Sequence, residues 1–455
     1  MKDRLKEFKD NVKNKKVAIV GIGVSNTPLI EMLLNYGAKV VACDKKTSLG
    51  DLEEKLKKLG VKLYLGEEYL KGVIDCDIIF RTPSLRPDNE YLIKAREKGA
   101  YVTSEMGEFL KYCPAKIFGV TGSDGKTTTT TLIYEMLKNE GYKVFLGGNI
   151  GSPLLNRIEE ISKEDYVVVE LSSFQLMDVN YSPDVSIITN LSPNHLDIHK
   201  GMDEYVNSKK NIFLHQCEND IVVLNNDNEI TSSMKREVKS SLRTFSMKDS
   251  TAFSYFDGEK LICNGISICS IDDVKLPGMH NVENLLAAFS AVYGFVSSES
   301  MKKVATSFTG VEHRIELVRE INGIKFYNDS IASSPTRTVA GLKSFKNKVI
   351  LIAGGYDKKI PFEELATGGI DKIKILILMG ATREKIKKAF EKEMERRKIN
   401  LPIIDAENLE DAVKKAYEMA GEGDIITMSP ACASFDMFKN FEERGKKFKE
   451  IVMKL

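Results

Sequence analysis

The 455-residue sequence lacks both a net charge excess and an apolar run long enough to cross a membrane. Lysine plus arginine (66) nearly balance aspartate plus glutamate (65), and the two signs are interspersed along the chain. This pattern has neither the basic face of a nucleic-acid-binding protein nor the basic clusters of a membrane-surface protein. We therefore expect small-molecule partners, with no nucleic acid and no membrane involved.

Paired cysteine spacings, low-complexity segments and short-period repeats are also missing. The seven cysteines are scattered, and the chain starts with Met-Lys-Asp and no apolar signal segment. An odd set of unpaired thiols is typical of a reducing compartment, which predicts a cytoplasmic protein. The length predicts about three domains of about 150 residues each. We expect a monomer.

One glycine-rich motif stands between an apolar segment and a helical pattern. It comprises Gly122, Ser123, Asp124, Gly125, Lys126, Thr127 and Thr128. The glycines let backbone N–H groups face phosphate oxygens, while the lysine and first threonine can reach the outer phosphates and Mg²⁺. Val120 stands where the usual first glycine would be, so the loop is a shorter variant. A glycine turn before a lysine-initiated helix is the alternative. We predict ATP binding at these seven residues.

The first residues have the pattern of a nucleotide-binding unit, with a strand, a glycine loop, a helix and a second strand over residues 16–44. Asn26 stands where the third glycine of the dinucleotide fingerprint would be, so the motif supports NAD binding only weakly. We interpret Val24, Ser25, Asn26 and Lys45 as a candidate nucleotide-diphosphate site. A plain turn between strand and helix is an equally good reading.

Strands and helices alternate along the whole chain, which predicts an α/β architecture. A short helical segment begins near residue 104, and the strand pattern restarts after residue 311. We predict a Rossmann-like N-terminal domain (1–103), a central P-loop ATPase-like domain with a mostly parallel sheet (104–311) and a Rossmann-like C-terminal domain (312–455).

Two further predicted strands, at 166–170 and 185–189, are followed by polar side chains. Glu170 ends the first strand, and His195 follows the second. The carboxyl ends of parallel strands meet at one sheet edge, so both side chains should lie near the phosphate loop. With Thr127 they would offer ligands to Mg²⁺. A solvent-exposed glutamate and a surface histidine are the alternatives.

Three motifs together resemble the Mur ligase family of ATP-dependent amino-acid ligases, which act in peptidoglycan precursor synthesis. They are Gly-Ser-Asp-Gly-Lys-Thr, Glu-Leu-Ser-Ser-Phe-Gln and His-Leu-Asp with Tyr-x-x-x-Lys downstream. The resemblance implies ATP, two Mg²⁺ ions and a CO₂-derived carbamate on Lys209 that helps to hold the second ion. Burial would supply the neutral amine that attacks CO₂. Lys210 is the competing candidate, but the Tyr-x-x-x-Lys spacing favours Lys209.

The same resemblance implies roles for residues throughout the chain. Lys126, His195 and Lys209 would be catalytic, with His195 also a metal ligand. Asn281, Arg314 and Asp329 would contact ATP. Two departures from the family pattern concern charge: Asp124 replaces an asparagine, and Ile331 replaces a lysine for which Lys359 is a candidate substitute.

The segment from Ser429 to Gly445 is similar to the family member that adds D-glutamate. The resemblance implies that Lys358, Ser434 and Phe441 hold this amino acid, whose two carboxylates need cationic and hydroxyl partners. Cys432 in the same segment has no evident base beside it and is interpreted as a packing residue.

The acceptor implied by the resemblance is UDP-N-acetylmuramoyl-L-alanine, with Asn149 and Ser172 near its muramoyl part and Thr82 near its uridine diphosphate. ATP would phosphorylate the alanyl carboxylate, and the D-glutamate amine would attack the acyl phosphate. The alternatives are a sister amino-acid ligase, a folate-polyglutamylating enzyme, a nicotinamide-dependent oxidoreductase and a nucleotide-switch or transport ATPase.

Overall fold

The structure is a computed structural model that describes residues 4–23, 26–193, 198–276, 278–357 and 361–455. The chain forms two compact units, Met1–Phe308 and Thr309–Leu455. Among the described residues, none of the helices combines the length and the apolar character that a membrane span requires.

The first unit begins with a five-stranded sheet. Its strands are β1 (Lys16–Val20), β2 (Lys39–Asp44), β3 (Lys62–Leu65), β4 (Ile78–Phe80) and β5 (Tyr101–Thr103). The helices of this region are α1 (Arg4–Val12), α2 (Asn26–Asn35), α3 (Asp51–Lys58), α4 (Glu90–Glu97) and α5 (Glu105–Tyr112). All strand pairs are parallel in the order β3-β2-β1-β4-β5. The order reverses beside β1, so the loop after β1 opens at the crevice where such sheets bind ligands.

A nine-stranded sheet completes the first unit. Its strands are β6 (Lys116–Thr121), β7 (Val144–Gly148), β8 (Tyr166–Glu170), β9 (Val185–Ile188), β10 (Ile221–Asn225), β11 (Ser241–Ser246), β12 (Ser254–Phe256), β13 (Lys260–Cys263) and β14 (Ile266–Ser270). Its helices are α6 (Lys126–Asn139), α7 (Ser173–Leu176), α8 (Met202–Lys210), α9 (Glu229–Ser233), α10 (Met279–Val292) and α11 (Ser298–Ser307).

The strand order of this sheet is β14-β13-β12-β11-β10-β9-β6-β8-β7. Strands β6 to β12 pair in parallel, whereas β13 is antiparallel to both of its neighbours. Strand β6 lies between β8 and β9, so the loops after these three strands meet at one edge. The near-continuous apolar sequence of β6 and β8 suits strands that are covered on both faces.

The two sheets of the first unit share one hydrophobic core. Phe8 of α1, Leu29 of α2 and Phe109 of α5 belong to the same buried cluster as Val167 and Val169 of β8. Burial of apolar surface across both sheets stabilises them as a single unit. The two sheets therefore belong to one compact unit, Met1–Phe308.

The second unit contains a six-stranded sheet. Its strands are β15 (Glu316–Ile321), β16 (Ile324–Asn328), β17 (Val349–Ala353), β18 (Ile373–Leu378), β19 (Ile403–Asp405) and β20 (Ile425–Met428), and its helices are α12 (Pro335–Lys343), α13 (Glu363–Gly369), α14 (Arg383–Arg397), α15 (Leu409–Glu418) and α16 (Phe441–Lys454). The order is β15-β16-β20-β17-β18-β19, and the pairs are parallel except β15 with β16. The predicted α/β class with three mostly parallel sheets is confirmed, while the domain limits at 103/104 and 311/312 stay predictions.

Candidate active site

Two glycines shape the loop between β6 and α6. Gly122 has φ 151° and Gly125 has φ 77°, and Gly125 caps α6. Only glycine adopts this region of backbone conformation at low cost. A Cβ on Gly122 would collide with Thr189, and one on Gly125 would collide with Asn284. The backbone conformation and the close neighbours both require glycine at these positions.

The segment after β9 holds this loop in place. Asn190 accepts the backbone N–H of Ser123 through its carbonyl (2.8 Å) and that of Asp124 through its side chain (3.0 Å). Thr189 donates its hydroxyl to the carbonyl of Asp124 (2.6 Å). The Asp124 side chain is exposed. Asp124 adds a negative charge where the family has asparagine, and this charge faces solvent, which screens it.

Lys126 and Ser123 lie in contact at the start of α6. The Lys126 ammonium donates to the Ser123 carbonyl (2.7 Å). The Ser123 hydroxyl lies 2.8 Å from the Tyr205 hydroxyl and accepts the Ser192 N–H (2.9 Å). Thr128 follows in the first helical turn and is half-buried. The predicted phosphate-binding residues thus form one structured turn at a helix N-terminus.

Thr127 and Glu170 bring two oxygen donors together. The Thr127 hydroxyl donates to one carboxylate oxygen of Glu170 (2.7 Å), and the Asn149 amide donates to the other (2.7 Å). Glu170 is 1% exposed. Hydroxyl and carboxylate oxygens are the ligands that Mg²⁺ prefers, so these side chains fit such an ion. No group of three His, Cys, Asp or Glu side chains that could hold a metal occurs in the described part of the chain.

Lys209 projects from α8 into the floor of the phosphate loop. Its ammonium nitrogen donates to the Thr121 hydroxyl (3.0 Å) and to the Gly122 carbonyl (2.9 Å). Burial and, by a smaller amount, the nearby Lys126 charge lower its pKa to about 7, with the Glu170 charge partly opposing them. The neutral amine is therefore accessible near neutral pH.

The neighbouring Lys210 has a different environment. Its ammonium forms an ion pair with Glu237 (2.6 Å). Lys209, which the Tyr-x-x-x-Lys spacing favours over Lys210, is thus the lysine that donates to the phosphate loop.

Asn281 lies at the start of α10 near the same loop. It is buried, and its side-chain oxygen accepts the amide of Asn284 (3.0 Å). Asn284 in turn accepts the Thr129 hydroxyl of α6 (3.3 Å). The structure therefore brings this predicted ATP residue to the phosphate-binding helix.

The loop after β1 uses its polar side chains to hold its own backbone. The buried Asn26 amide donates to the carbonyls of Val20 (3.1 Å) and Gly21 (3.0 Å). The Asp44 carboxylate, at the position that binds ribose in dinucleotide folds, accepts the Ile22 N–H (2.6 Å). This arrangement argues against the nicotinamide-dependent alternative.

A cavity of about 160 Å³ opens at the crevice of the first sheet. Thr82 lines it together with Arg81, Ser104 and Gln175. Ser172 and Gln175 form a reciprocal capping box at the start of α7. The structure thus brings Thr82 into the cavity and Ser172 next to a residue that lines it. Lys45 is exposed and is not among the lining residues.

Asp329 and Arg314 lie near each other in the second unit. The buried Asp329 carboxylate accepts the Ser429 hydroxyl (2.6 Å) and the Ile315 N–H (3.3 Å). Burial raises its pKa to about 6, against the opposing effects of the two hydrogen bonds and of the exposed Arg314 charge. The predicted ATP residues of this unit are therefore within electrostatic reach of each other.

A buried arginine that the sequence did not single out supports the Ser429–Gly445 segment. Arg444 of α16 is fully buried and donates to both oxygens of Ser330 (3.0 and 2.8 Å) and to the carbonyls of Cys432 and Ala433 (both 3.1 Å). The sequence offered one signal for this role, because Arg444 follows Phe441 in a segment with the pattern of an amphipathic helix. Arg444 holds the chain on either side of the predicted D-glutamate residues.

Ser434 and Phe441 both belong to the Ser429–Gly445 segment. Ser434 is 2% exposed, and the half-buried Phe441 ring meets His313 edge-on at 6.1 Å between centroids. Burial raises the pKa of Cys432 to about 11, and its sulfur contacts the Thr382 hydroxyl (3.1 Å). The interpretation of Cys432 as a packing residue is confirmed.

Several predicted site residues lie outside the described residues. They are Val24, Ser25, His195, Lys358 and Lys359. Their roles stay predictions.

Three family models match the sequence: the MurD N-terminal domain at residues 16–91, the Mur ligase middle domain at 120–292 and the Mur ligase, glutamate ligase domain at 313–432. The chain is 60% identical to the UDP-N-acetylmuramoylalanine--D-glutamate ligase of Clostridium novyi (strain NT), with 100% of both chains covered. It is 58% identical to the enzyme of the same name from Clostridium kluyveri, with 99% of each covered. The chain belongs to the Mur ligase family.

Solved Mur ligases share the fold at low sequence identity. The UDP-N-acetylmuramate-alanine ligase MurC of Thermotoga maritima is 20% identical, with a TM-score of 0.56 and coverage of 97% of this chain and 99% of that one. The UDP-N-acetylmuramoylalanyl-D-glutamyl-2,6-diaminopimelate--D-alanyl-D-alanyl ligase of Acinetobacter baumannii is 15% identical, with a TM-score of 0.54 and coverage of 84% and 92%. The Mur ligase resemblance expected from the motifs is confirmed.

Proposed function

We propose that this chain is an ATP-dependent, ADP-forming ligase that adds D-glutamate to UDP-N-acetylmuramoyl-L-alanine in peptidoglycan precursor synthesis. The observation that carries the proposal is the full-length identity of 60% to an enzyme named for this reaction. The contacts among the phosphate loop, Glu170 and Lys209 support it, because they suit phosphoryl transfer.

The ATP phosphates would lie against the loop from Gly122 to Thr128. Backbone N–H groups, the start of α6 and the Lys126 ammonium would stabilise the charge that develops as the phosphoryl group moves to the alanyl carboxylate. Asn281, Arg314 and Asp329 would complete the ATP contacts. When bound, two Mg²⁺ ions would neutralise phosphate charge, held by Thr127, Glu170, His195 and Lys209.

Lys209 would serve as a carbamate. The neutral amine nitrogen forms a bond to the carbon of CO₂ as one C=O π bond opens, and loss of one proton from the nitrogen leaves an anionic carbamate. Starting from the ammonium cation, two protons are released in all. The lowered pKa of this lysine and its contact with Gly122 support this step. The carbamate oxygens would then face the same site as Glu170.

The remaining site residues would bind the acceptor and the amino acid. Asn149 and Ser172 would contact the muramoyl part, and Thr82 with Val24, Ser25 and Lys45 would contact the uridine diphosphate. Lys358, Ser434 and Phe441 would hold D-glutamate so that its amine attacks the acyl phosphate and releases phosphate. Exclusion of water from the acyl phosphate favours amide formation over hydrolysis.

The cytoplasmic location and the monomeric state expected from the sequence belong to this proposal. The balanced charge of the chain supports small-molecule substrates. Size-exclusion chromatography with light scattering tests the monomeric state.

Amino-acid-dependent phosphate release tests the proposed function. With ATP, Mg²⁺ and UDP-N-acetylmuramoyl-L-alanine, we expect release with D-glutamate and little with L-glutamate. L-alanine, a diamino acid and a dipeptide, each offered with its own precursor, test the sister ligases. Release with one of these but not with D-glutamate would assign a different ligase, and release without any amino acid would indicate a plain ATPase.

Lys126→Ala tests the role of the phosphate loop. We expect it to abolish formation of the acyl phosphate while the thermal unfolding transition is retained, because the half-buried Lys126 side chain donates to the loop carbonyl of Ser123 and is not part of a hydrophobic core. Wild-type turnover by this variant would show that the loop does not bind the transferring phosphate.

A further inference from the structure

A row of polar side chains lies buried beside α8, apart from the predicted catalytic groups. The ring nitrogen Nε2 of His199 lies 2.9 Å from the Ser173 hydroxyl, and Nδ1 lies 3.4 Å from a carboxylate oxygen of Glu204. His199 is 3% exposed, and Ser173 is 2% exposed. Buried polar side chains arranged in this way fix the elements that carry them, here α7 and α8.

The His199 ring also packs against two aromatic rings. It stacks on Phe174 with 5.1 Å between centroids and an interplanar angle of 10°, and it meets Tyr205 edge-on at 5.4 Å. Tyr205 reaches the Ser123 hydroxyl of the phosphate loop. One imidazole therefore touches α7 and α8, and α8 touches the loop.

The region of the first sheet holds the same two helices. Arg86, which follows β4, donates to both carboxylate oxygens of Glu204 (2.7 and 3.0 Å) and to the Ile198 carbonyl (2.8 Å). The buried Arg81 donates to Asp178 (2.9 Å) and to the Phe174 carbonyl (3.2 Å). Bidentate arginine contacts are strong and directional, so they restrict rotation of α8.

Helix α8 depends on these contacts. It begins at Met202 after Gly201, which has no capping side chain, and it spans nine residues. Helices of this length are unstable by themselves and take their stability from tertiary packing. Lys209 lies at its other end, so a small tilt of the helix would displace that ammonium from Gly122.

We propose that His199 is a positioning residue for the ligase reaction proposed above, fixing α8 so that Lys209 and Tyr205 keep their contacts with the phosphate loop. The inference rests on the proposed function, because Lys209 has its role only there. The Arg86–Glu204 contact holds the outer side of the same helix.

A nucleophilic role for Ser173 does not fit these contacts. Serine and histidine are in hydrogen-bond contact as in hydrolytic triads, with a glutamate 3.4 Å from the other ring nitrogen. However, Ser173 lies in the first turn of α7 beside the His199 ring nitrogen and is almost fully buried. A substrate carbonyl could not reach it, so the group positions a helix and does not attack a substrate.

Two substitutions separate the positioning role from simple packing. His199→Phe keeps the ring stack and removes the polar contacts, whereas His199→Gln can restore a hydrogen bond to Ser173. We expect His199→Phe to lower kcat by about 10- to 100-fold, the usual range for residues that orient catalytic ligands. KM for ATP should change little, and His199→Gln should recover part of the loss. The exposed His215→Phe is the matched control.

The bicarbonate dependence is a second measurement. A displaced α8 would move Lys209 from its place beside Gly122, so carbamate would form less completely and His199→Phe should need more bicarbonate for half-maximal activity. Thermal unfolding of each variant gives the folded fraction, and activities are compared per folded molecule.

Two results would overturn the positioning role of His199, and a third would overturn the proposed function on which it rests. Unchanged kcat and bicarbonate dependence in folded His199→Phe would overturn the positioning role. A lower melting temperature with normal activity per folded molecule would do the same, because it indicates packing alone. Absence of D-glutamate-dependent release by the wild type would instead overturn the proposed function.

Discussion

The phosphate loop and the Ser429–Gly445 segment each bury one cation among neutral oxygens, yet the two cations differ in chemistry. Lys209 has two acceptors, Thr121 and Gly122, and lies near the positive charge of Lys126. Arg444 has four acceptor oxygens on Ser330, Cys432 and Ala433. The number of acceptors and the nature of the nearest charge decide what each cation can do.

Burial lowers both pKa values, but only one of the shifts reaches the neutral range. The Lys209 pKa falls to about 7, whereas the Arg444 pKa falls to about 10, so the guanidinium stays charged at neutral pH. Lysine readily becomes a neutral nucleophile when buried, and arginine does not. Lys209 is therefore available for covalent modification, while Arg444 stays charged and donates hydrogen bonds to backbone carbonyls.

Replacement of Lys209 should give the largest effect. Lys209→Ala is expected to lower turnover by about 10²- to 10³-fold, the range for losing one preorganised electrostatic group. Short carboxylic acids should restore part of the activity, because they can occupy the space of the carbamate. Lys210→Ala removes only a surface ion pair and is the matched control. Full activity of Lys209→Ala would end the carbamate proposal.

The pH dependence should also separate the two cations. Below pH about 7 the Lys209 amine is protonated and cannot react with CO₂, so activity should fall at fixed dissolved CO₂. Arg444 does not titrate in this range, so it should cause no second change in activity with pH. Phosphate release measured across the neutral range, with CO₂ held constant, tests this expectation. A profile that is flat through pH 7 would contradict it.

The same shift has a consequence for stability. Between pH about 7 and 10.5, the unfolded chain binds more protons at Lys209 than the folded chain does. The free energy of unfolding should therefore rise with pH in that window. Lys209→Met should remove this rise, as chemical denaturation in CO₂-free buffer would show. An identical pH dependence in both proteins would argue against the lowered pKa.

Removal of the Arg444 guanidinium should have a smaller effect on chemistry than on stability. Arg444→Met leaves buried carbonyl oxygens without donors, which should cost at least about 1–3 kcal/mol of unfolding free energy. Denaturation of the full chain, followed in the second unit, measures this cost. KM for D-glutamate should rise, while the bicarbonate dependence should match the wild type. A change in bicarbonate dependence would break the distinction between the two regions.

The smallest effect is expected at Asp124. Its side chain is exposed, and its backbone is held by Asn190 and Thr189. Asp124→Asn should therefore change ATP affinity by no more than about 0.5 kcal/mol, typical of a surface substitution. Gly125→Ala is the contrasting variant, because its Cβ would meet Asn284 and strain the loop. A large gain in affinity from Asp124→Asn would place the carboxylate closer to the phosphates than its exposure indicates.

Local sequence patterns were sufficient for the buried strands of the central sheet. The strand predicted at 166–170 matches the observed bounds Tyr166–Glu170, and the strand predicted at 185–189 is observed at Val185–Ile188. Apolar runs of strand length are strong signals. By contrast, β15 was not predicted, since its alternating, partly exposed sequence is stabilised by backbone pairing with β16 at the sheet edge.

The residue types in the motifs indicated which side chains could act in the site. Contacts between distant segments of the chain decided the burial, partners and orientation of these side chains. The sequence by itself supplied the phosphate loop, Glu170 and the pair Lys209–Lys210, because these depend on residue type and short spacing. Only the tertiary structure showed that Lys209 contacts Thr121, that Asp124 is exposed and that Arg444 and His199 are buried. Protonation and orientation depend on desolvation and on partners far away in the chain, which no local pattern contains.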